Sequence, residues 1–208
     1  MRAPFIVGIG GTPAATSSTE TALRLSLAEA GRLGARTELF GGDALSRLPL
    51  YLTPDARSSS VAEALVAAVR AADGLIVASP GYHGSVSGLV KNALDYLEET
   101  ARDPRPYLDG IPVGLLVTAH GWQATGSTLA TLRSIVHALR GWPTPLGATI
   151  NAGISRFANG VCTDPAVSAQ LALVGQQVVA FARLRCSIPT PADAPTAITE
   201  CPALQAAD

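Results

Sequence analysis

The sequence predicts an α/β fold in which a doubly wound, five-stranded parallel sheet carries helices on both faces. Two observations support this fold class. Short apolar runs alternate with segments of helical periodicity from the first residues onward, which implies right-handed crossovers between parallel strands. The third apolar run, residues 74–78, contains no charged or hydroxyl side chain, as is typical of a strand buried on both faces.

Each predicted element has its own signal in the chain. The strands are short, mainly apolar runs, and we place them at residues 4–10, 37–40, 74–78, 113–118 and 145–151. The helices show apolar residues at i, i+4 and i+7, as at Leu23, Leu27 and Ala30. We place the first helix after the hydroxyl-rich residues 16–19, ending near Gly31, and the others at residues 60–72, 88–99, 125–140 and 165–185.

The chain length indicates one domain followed by a short tail. Its 208 residues lie within the usual range for a single domain. Residues 1–186 hold all the predicted elements, whereas residues 187–208 are rich in proline and alanine and cannot build a core. We therefore expect a domain over 1–186 and a disordered tail over 187–208.

Composition and charge exclude several classes of protein. The net charge of −1 leaves no basic surface for nucleic acid or an anionic membrane. No apolar run approaches the ~18 residues of a membrane span, and the amino terminus reaches glycine too early for a signal peptide. The three cysteines and three histidines show neither disulfide nor metal-ligand spacing. We expect a cytoplasmic protein that holds no metal.

The first candidate site is the loop after the first strand. Ligands of open parallel sheets bind beyond the carboxyl ends of the strands, and residues 10–19 combine glycines and hydroxyls just before a helix. Backbone N–H groups and hydroxyls there can surround a phosphate, which the helix dipole favours. Pro13 stands where a dinucleotide fingerprint needs its third glycine, so the loop favours a monophosphate. Alternatively, Ser17 and Glu20 form a capping box, and one serine can serve both purposes.

The loops after the third and fourth strands each carry an aromatic ring and an imidazole. Residues 79–88 include Tyr82 and His83, and residues 119–126 include His120 and Trp122. A lone histidine is more often structural than catalytic, and Trp122 fits a subunit interface as well as a ligand wall. No Ser/His/Asp set or carboxylate pair converges here, so we assign no catalytic residue. Amides, hydroxyls and rings suit a planar cofactor that brings its own chemistry.

The loop after the third strand and the helix that follows it carry a specific resemblance. Residues 79–97 read SPGYHGSVSGLVKNALDYL and resemble the SPEYNGSxPGxLKNALDWL signature of the NADPH-dependent FMN reductase family. Residues 11–18 resemble the GSxRxxS phosphate loop of that family, and residues 118–126 its third flavin loop. The resemblance covers residues 4–185 and implies a flavodoxin-like fold with strand order 2-1-3-4-5.

The resemblance also implies, position by position, which residues bind FMN. The first loop would hold the phosphate, the second would lie along the isoalloxazine ring, and the third would close over its pyrimidine side or the ribityl chain. The implied residues are Gly11, Thr12, Ser17, Ser18 and Thr19, then Pro80, Gly81, Tyr82, His83 and Gly84, and finally Ala119, His120, Gly121 and Trp122.

Three positions depart from the family pattern. Ala14 stands where the phosphate loop has arginine, Gly81 replaces the signature glutamate, and His83 replaces its asparagine. The first departure predicts weaker binding of the phosphate. The other two predict an altered choice of substrate.

The resemblance implies an enzyme that moves hydride from NADPH or NADH to FMN and passes electrons to free flavin, a quinone or another small acceptor. If FMN is held loosely, the enzyme would supply reduced FMN to a flavin-dependent monooxygenase. Two alternatives stay open: a family member repurposed for one biosynthetic redox step, and a flavodoxin-type electron carrier without NAD(P)H turnover. Such carriers are strongly acidic, unlike this chain with its net charge of −1.

The low content of charge predicts self-association. Only 15% of the residues are charged, against ~25% in typical domains, so a second subunit is expected to cover part of the surface. With the family resemblance, this predicts a homodimer or homotetramer with flavin sites at the subunit boundary. The helix predicted at 88–99 would turn Lys91, Asp95, Tyr96 and Glu99 outward.

Overall fold

The main sheet has the predicted strand order. The computed structural model describes residues 2–14, 16–154, 157–158 and 160–187. Its strands are β1 (Phe5–Gly10), β2 (Arg36–Phe40), β3 (Gly74–Tyr82), β4 (Ser85–Val86), β5 (Pro112–Ala119), β6 (Trp142–Asn151), β7 (Phe157–Ala158) and β8 (Val161–Cys162). The five long strands are parallel and lie in the order β2-β1-β3-β5-β6. Counting long strands only, this is 2-1-3-4-5, and the predicted fold class is confirmed.

Helices cover both faces of the sheet. They are α1 (Ser18–Arg32), α2 (Gly42–Ser46), α3 (Ser60–Ala71), α4 (Gly88–Asp95), α5 (Trp122–Ala138) and α6 (Pro165–Ser187), with 3₁₀ turns at Pro54–Ser58 and Tyr96–Thr100. Side chains of β3 alternate between the faces. Leu75 and Val77 enter the core formed with α3, α4 and α5, whereas Ile76 and Ala78 enter the core formed with α1 and α6.

Tyr96 is buried, so its predicted place on an outer helix face is wrong. The predicted helix 88–99 is two pieces, because α4 tightens into a 3₁₀ turn at Tyr96. A 3₁₀ turn has three residues instead of 3.6, which changes the direction in which the next side chains point. Tyr96 is 2% exposed, and its hydroxyl donates to the Pro49 carbonyl at 2.8 Å.

Helix α6 ends the described part of the chain. It runs to Ser187, one residue into the predicted tail, and residues 188–208 of that tail lie outside the described residues. Among the helices that the structure describes, α6 alone is long and apolar enough to cross a membrane. The side chains of Leu171, Val174 and Val178 are nevertheless buried against the sheet, as in a core helix.

Polar side chains lie at both edges of the main sheet. At one edge, β2 exposes Arg36 and Glu38. At the other edge, the Leu146 N–H donates to Gln177 Oε1 at 3.1 Å. The guanidinium of Arg133 donates to the Pro145 carbonyl at 3.1 Å. Backbone groups of β6 are therefore hydrogen-bonded to side chains of α5 and α6.

The loop between α2 and α3 is attached to α4. The Tyr51 N–H donates to Asn92 Oδ1, and Asn92 Nδ2 donates to the Pro49 carbonyl, both at 2.9 Å. The Tyr51 ring contacts Tyr96 edge-on, with centroids 5.3 Å apart, and its hydroxyl donates to Glu99 Oε1 at 3.1 Å. Burial and this hydrogen bond raise the pKa of Tyr51 to about 12.

The raised pKa of Tyr51 predicts a loss of stability in alkaline solution. An unfolded tyrosine titrates near pH ~10, so the stabilisation by neutral Tyr51 is complete below that pH. It is lost as the pH rises through the folded pKa of about 12. Tyr51→Phe keeps the ring but has no hydroxyl to ionise. We expect its free energy of unfolding, measured with urea, to decline less steeply over this pH interval than that of the unaltered protein. Equal slopes for the two proteins would contradict the raised pKa of Tyr51.

Candidate active site

Three loops lie side by side at the carboxyl edge of the sheet. They follow β1, β3 and β5, which are neighbours in the sheet. Gly10 is in register with Ala78, and Pro80 with Thr118. The fold thus brings the three predicted flavin loops to one edge, as expected at the carboxyl ends of parallel strands.

The first loop begins at Gly10, which has no room for a side chain beside β3. Gly10 has φ +149°, and a Cβ added there would lie 2.0 Å from the Ala78 carbonyl oxygen. Gly11 has φ +114°. Only glycine adopts such backbone angles without strain, so the chain can turn sharply from the strand into the loop.

Ser17 organises the loop and the start of α1. Its Oγ accepts hydrogen bonds from the N–H groups of Thr12 at 3.1 Å and Glu20 at 3.2 Å. Because the oxygen accepts twice, its own proton is left to donate. The N–H groups of Ser18 and Thr19 lie in the first helical turn and lack an intrahelical acceptor. Ser17 therefore caps the helix and still offers a donor to a phosphate.

The expected capping box is only half formed. The Glu20 carboxylate accepts from the Gly42 N–H at 2.7 Å and from the Arg24 guanidinium at 2.7 Å, rather than reaching back to Ser17. It thereby ties the loop after β2 to α1. The loop after β2 also packs closely on the first loop, since a Cβ on Gly42 would lie 2.0 Å from the Thr12 carbonyl oxygen.

Thr19 turns its side chain away from the loop. Its hydroxyl is 2.5 Å from that of Thr118 on β5, and both residues are buried. Of the five residues predicted for the phosphate, Thr19 thus presents its backbone N–H and not its hydroxyl. The pairing of these two hydroxyls was not predicted, because only the packing of α1 on β5 brings them together.

The first loop fits a phosphate with neutral donors. Residues 10–19 contain no Lys or Arg, and the nearby Arg24 is paired with Glu20. The described donors are the hydroxyls of Thr12, Thr16, Ser17 and Ser18 and the N–H groups of the helix start. A phosphate would therefore depend on hydroxyls, amides and the α1 dipole.

The second loop contains a tight hairpin that sequence analysis did not predict. β3 continues through Gly81 to Tyr82, which pairs with Ser85 of β4. The turn residues His83 and Gly84 have φ of +51° and +84°. Two consecutive positive φ angles are typical of a type I′ turn, for which Asn-Gly is preferred. The turn thus explains why the family has asparagine at this position, and His83 adopts the same left-handed conformation.

Replacing His83 with asparagine is expected to stabilise the hairpin. The left-handed conformation costs most residues ~1–2 kcal/mol, and asparagine less. We expect His83→Asn to raise the free energy of unfolding by about 0.5–1 kcal/mol, measured by thermal or urea unfolding. His83→Ala, which has no such preference, should not raise it. Equal gains in both variants would indicate that the turn conformation is not the cause.

The third loop leads into α5 without a side-chain cap. Gly121 occupies the cap position and α5 begins at Trp122, three residues before the predicted start. Trp122 is 59% exposed, and Tyr82 on the neighbouring loop is 53% exposed. Rings this exposed are available to stack on a planar ligand. His120 is also exposed.

A fourth loop, after β6, adjoins the third. The Ala152 N–H donates to the Ala119 carbonyl at 2.8 Å, and the Gly153 N–H to Asn151 Oδ1 at 3.0 Å. A Cβ on Gly153 would lie 3.9 Å from His120 Nδ1. Sequence analysis missed this loop, although Asn151 and Gly153 after an apolar strand are a usable turn signal.

Comparison with known proteins identifies the family. A family model described as NADPH-dependent FMN reductase matches residues 4–153. An FMN-dependent NADPH-azoreductase from Staphylococcus haemolyticus is 34% identical over 116 residues, which cover 54% of this chain and 58% of that protein. The chain thus spans little more than half the length of this relative.

Solved structures share the fold. The apo form of the NADH:FMN oxidoreductase EMOB is 25% identical with TM-score 0.66, covering 89% of this chain and 92% of that one. FerB, a flavoenzyme NAD(P)H:(acceptor) oxidoreductase from Paracoccus denitrificans, is 18% identical with TM-score 0.68, covering 87% and 98%. The match to the family model runs from β1 to the loop after β6 and so includes the three predicted flavin loops. The chain belongs to the NADPH-dependent FMN reductase family.

Proposed function

We propose that this chain is an NAD(P)H-dependent FMN reductase that passes electrons from the nicotinamide to a small planar acceptor. The observation that carries the proposal is the meeting of three loops at one sheet edge. One loop offers neutral donors beside a helix start, and the other two offer exposed aromatic rings. Membership of the family adds FMN and NAD(P)H as the cofactors that such a site serves.

Each loop has a separate task in this proposal. Ser17 and Ser18 donate hydroxyl protons to the phosphate, and the first turn of α1 adds backbone N–H groups. Tyr82 and Trp122 form the walls against which a ring can stack. FMN, when bound, supplies the ring that accepts and releases hydride. Residues 79–88 and 119–126, which carry these rings, contain no Asp, Glu, Lys or Arg, so neutral planar molecules are favoured there over ions.

The proposal also specifies the class of electron acceptor. The curated relative is named an FMN-dependent NADPH-azoreductase, and we propose azo compounds, quinones and free flavin as acceptors for this chain too. Three further points stay predictions: transfer of reduced FMN to a monooxygenase, a cytoplasmic location, and a homodimeric or homotetrameric assembly.

The decisive experiment mixes the purified protein with FMN and NADPH and follows the nicotinamide absorbance. Steady oxidation that accelerates when a quinone is added would support the reductase. A yellow protein that binds FMN but does not oxidise NADPH or NADH would contradict it. That outcome would favour the electron carrier or the dedicated biosynthetic enzyme instead.

Ala14 is expected to limit the affinity for FMN. It is exposed in the phosphate loop, where an arginine would add charge-assisted hydrogen bonds to the phosphate. At such an exposed position the gain is about 1 kcal/mol, or about fivefold in affinity. We expect Ala14→Arg to tighten FMN by this factor and to leave riboflavin unchanged, as measured by flavin fluorescence titration. An equal shift for both flavins would show that the loop does not bind the phosphate.

A further inference from the structure

Gly81 lies where the hairpin of the second loop contacts helix α5. It pairs with Val86 in the β3–β4 ladder, and its missing side chain would point into α5. A Cβ added there would lie 2.7 Å from Thr128 Oγ1, 3.2 Å from Ala119 Cβ and 3.3 Å from the Ala124 carbonyl oxygen. The helix therefore packs directly on the backbone of the hairpin.

The atoms around Gly81 have little freedom to move. Thr128 is fully buried, its hydroxyl lies 3.4 Å from the Ser85 carbonyl oxygen, and β-branched side chains on helices have few χ1 options. The Ala124 oxygen is helix backbone. A side chain at position 81 must therefore displace the first two turns of α5 instead of a single neighbour.

The first of these two turns begins with Trp122, one of the two rings proposed as walls of the flavin site. Trp122 is the first residue of α5, and its cap Gly121 makes no side-chain bond to hold the helix start. Tyr82, the other wall, follows Gly81 directly in the hairpin. The contact of Gly81 with α5 thus joins the segments that carry the two rings.

We propose that Gly81 is a positioning residue that sets the separation between Trp122 and Tyr82, and hence the width of the flavin site. The inference rests on the proposed function in taking these rings as flavin walls. It gives the loss of the family glutamate a physical consequence, since a larger side chain at position 81 would hold α5 away from the hairpin.

A double-mutant cycle tests the contact. We expect Gly81→Ala to weaken FMN binding about tenfold, because the added methyl group overpacks the contact with α5 and moves Trp122 away from Tyr82. Thr128→Ala should change the affinity by less than about twofold. Combined, the two substitutions should restore most of the lost affinity, since alanine at 128 lacks the hydroxyl that the new methyl group meets. A double variant as weak as Gly81→Ala would overturn the proposal.

A readout without flavin separates this proposal from the proposed function. In a Trp142→Phe background, Trp122 is the remaining tryptophan, and Gly81→Ala should shift its emission in the apoprotein. Gly147→Ala is the matched control, because its Cβ would lie 2.6 Å from Leu129 Cδ1. This atom is the end of a flexible side chain on the residue that follows Thr128 in α5, so it can move without displacing the helix.

The control should lower the melting temperature without shifting the emission of Trp122 or the affinity for FMN. Unchanged emission in Gly81→Ala would overturn the positioning role. A shifted emission in a protein that binds no FMN would uphold the contact and refute the proposed function instead.

Discussion

Replacing Gly10 with alanine is expected to destabilise the protein strongly. The new Cβ would lie 2.0 Å from the Ala78 carbonyl oxygen and 2.9 Å from the Ala78 nitrogen. These are backbone atoms of the central strand β3, so they cannot rotate away. The φ of +149° adds strain for any residue with a side chain.

Strain and overpacking of this kind each cost ~1–3 kcal/mol, so we expect a loss of about 3–5 kcal/mol. A typical domain has only ~5–15 kcal/mol of stability, and the variant should melt far below the unaltered protein in a thermal scan. Gly126→Ala is the control, because nothing lies within 4 Å of that position and alanine favours a helix interior. Similar melting temperatures for the Gly10→Ala variant and the unaltered protein would contradict the approach of β1 to β3.

Replacing Ser17 separates its capping of α1 from its proposed contact with the FMN phosphate. Ser17→Ala removes the acceptor of two N–H groups and should cost about 0.5–2 kcal/mol of stability. It also removes a donor to phosphate, so FMN affinity should fall on the order of tenfold. Ser59→Ala is the matched control, since Ser59 caps α3 through the Ala62 N–H away from the flavin loops.

Ser17→Asp gives the sharper test. Aspartate caps helices as well as serine, so the melting temperature should stay close to that of the unaltered protein. Its negative charge repels a phosphate, and FMN affinity should fall by at least about tenfold, while riboflavin binds as before. If Ser17→Asp binds FMN normally, the phosphate does not lie at the start of α1.

The central strands β1, β3 and β5 could be predicted because each is an apolar run that packs between two helical layers. The hairpin after β3 could not, since Pro80 interrupts the run and its turn has His83 in place of asparagine. The start of α5 was placed too late because Gly121 gives no cap signal. In each case the local sequence signal is weak and tertiary packing decides.

The sequence predicts which loops form the candidate site, but it does not predict in which direction each of their side chains points. Thr19 and Ser18 are adjacent hydroxyl residues at a helix start, and no periodicity tells which one faces the sheet. Packing against Thr118 turns Thr19 inward. The role of Gly81 was equally hidden, because Thr128 lies 47 positions further along the chain and meets it only in the folded protein.

The covered edge of β6 limits how copies of this chain can meet. A free strand edge invites a strand from a second molecule. Here the Leu146 N–H and the Pro145 carbonyl are already engaged by Gln177 and Arg133, and a proline has no N–H to offer. The opposite edge, β2, exposes charged side chains. Pairing of the sheets of different copies, edge to edge, is therefore disfavoured at both edges. Copies of this chain would instead associate through their helix surfaces.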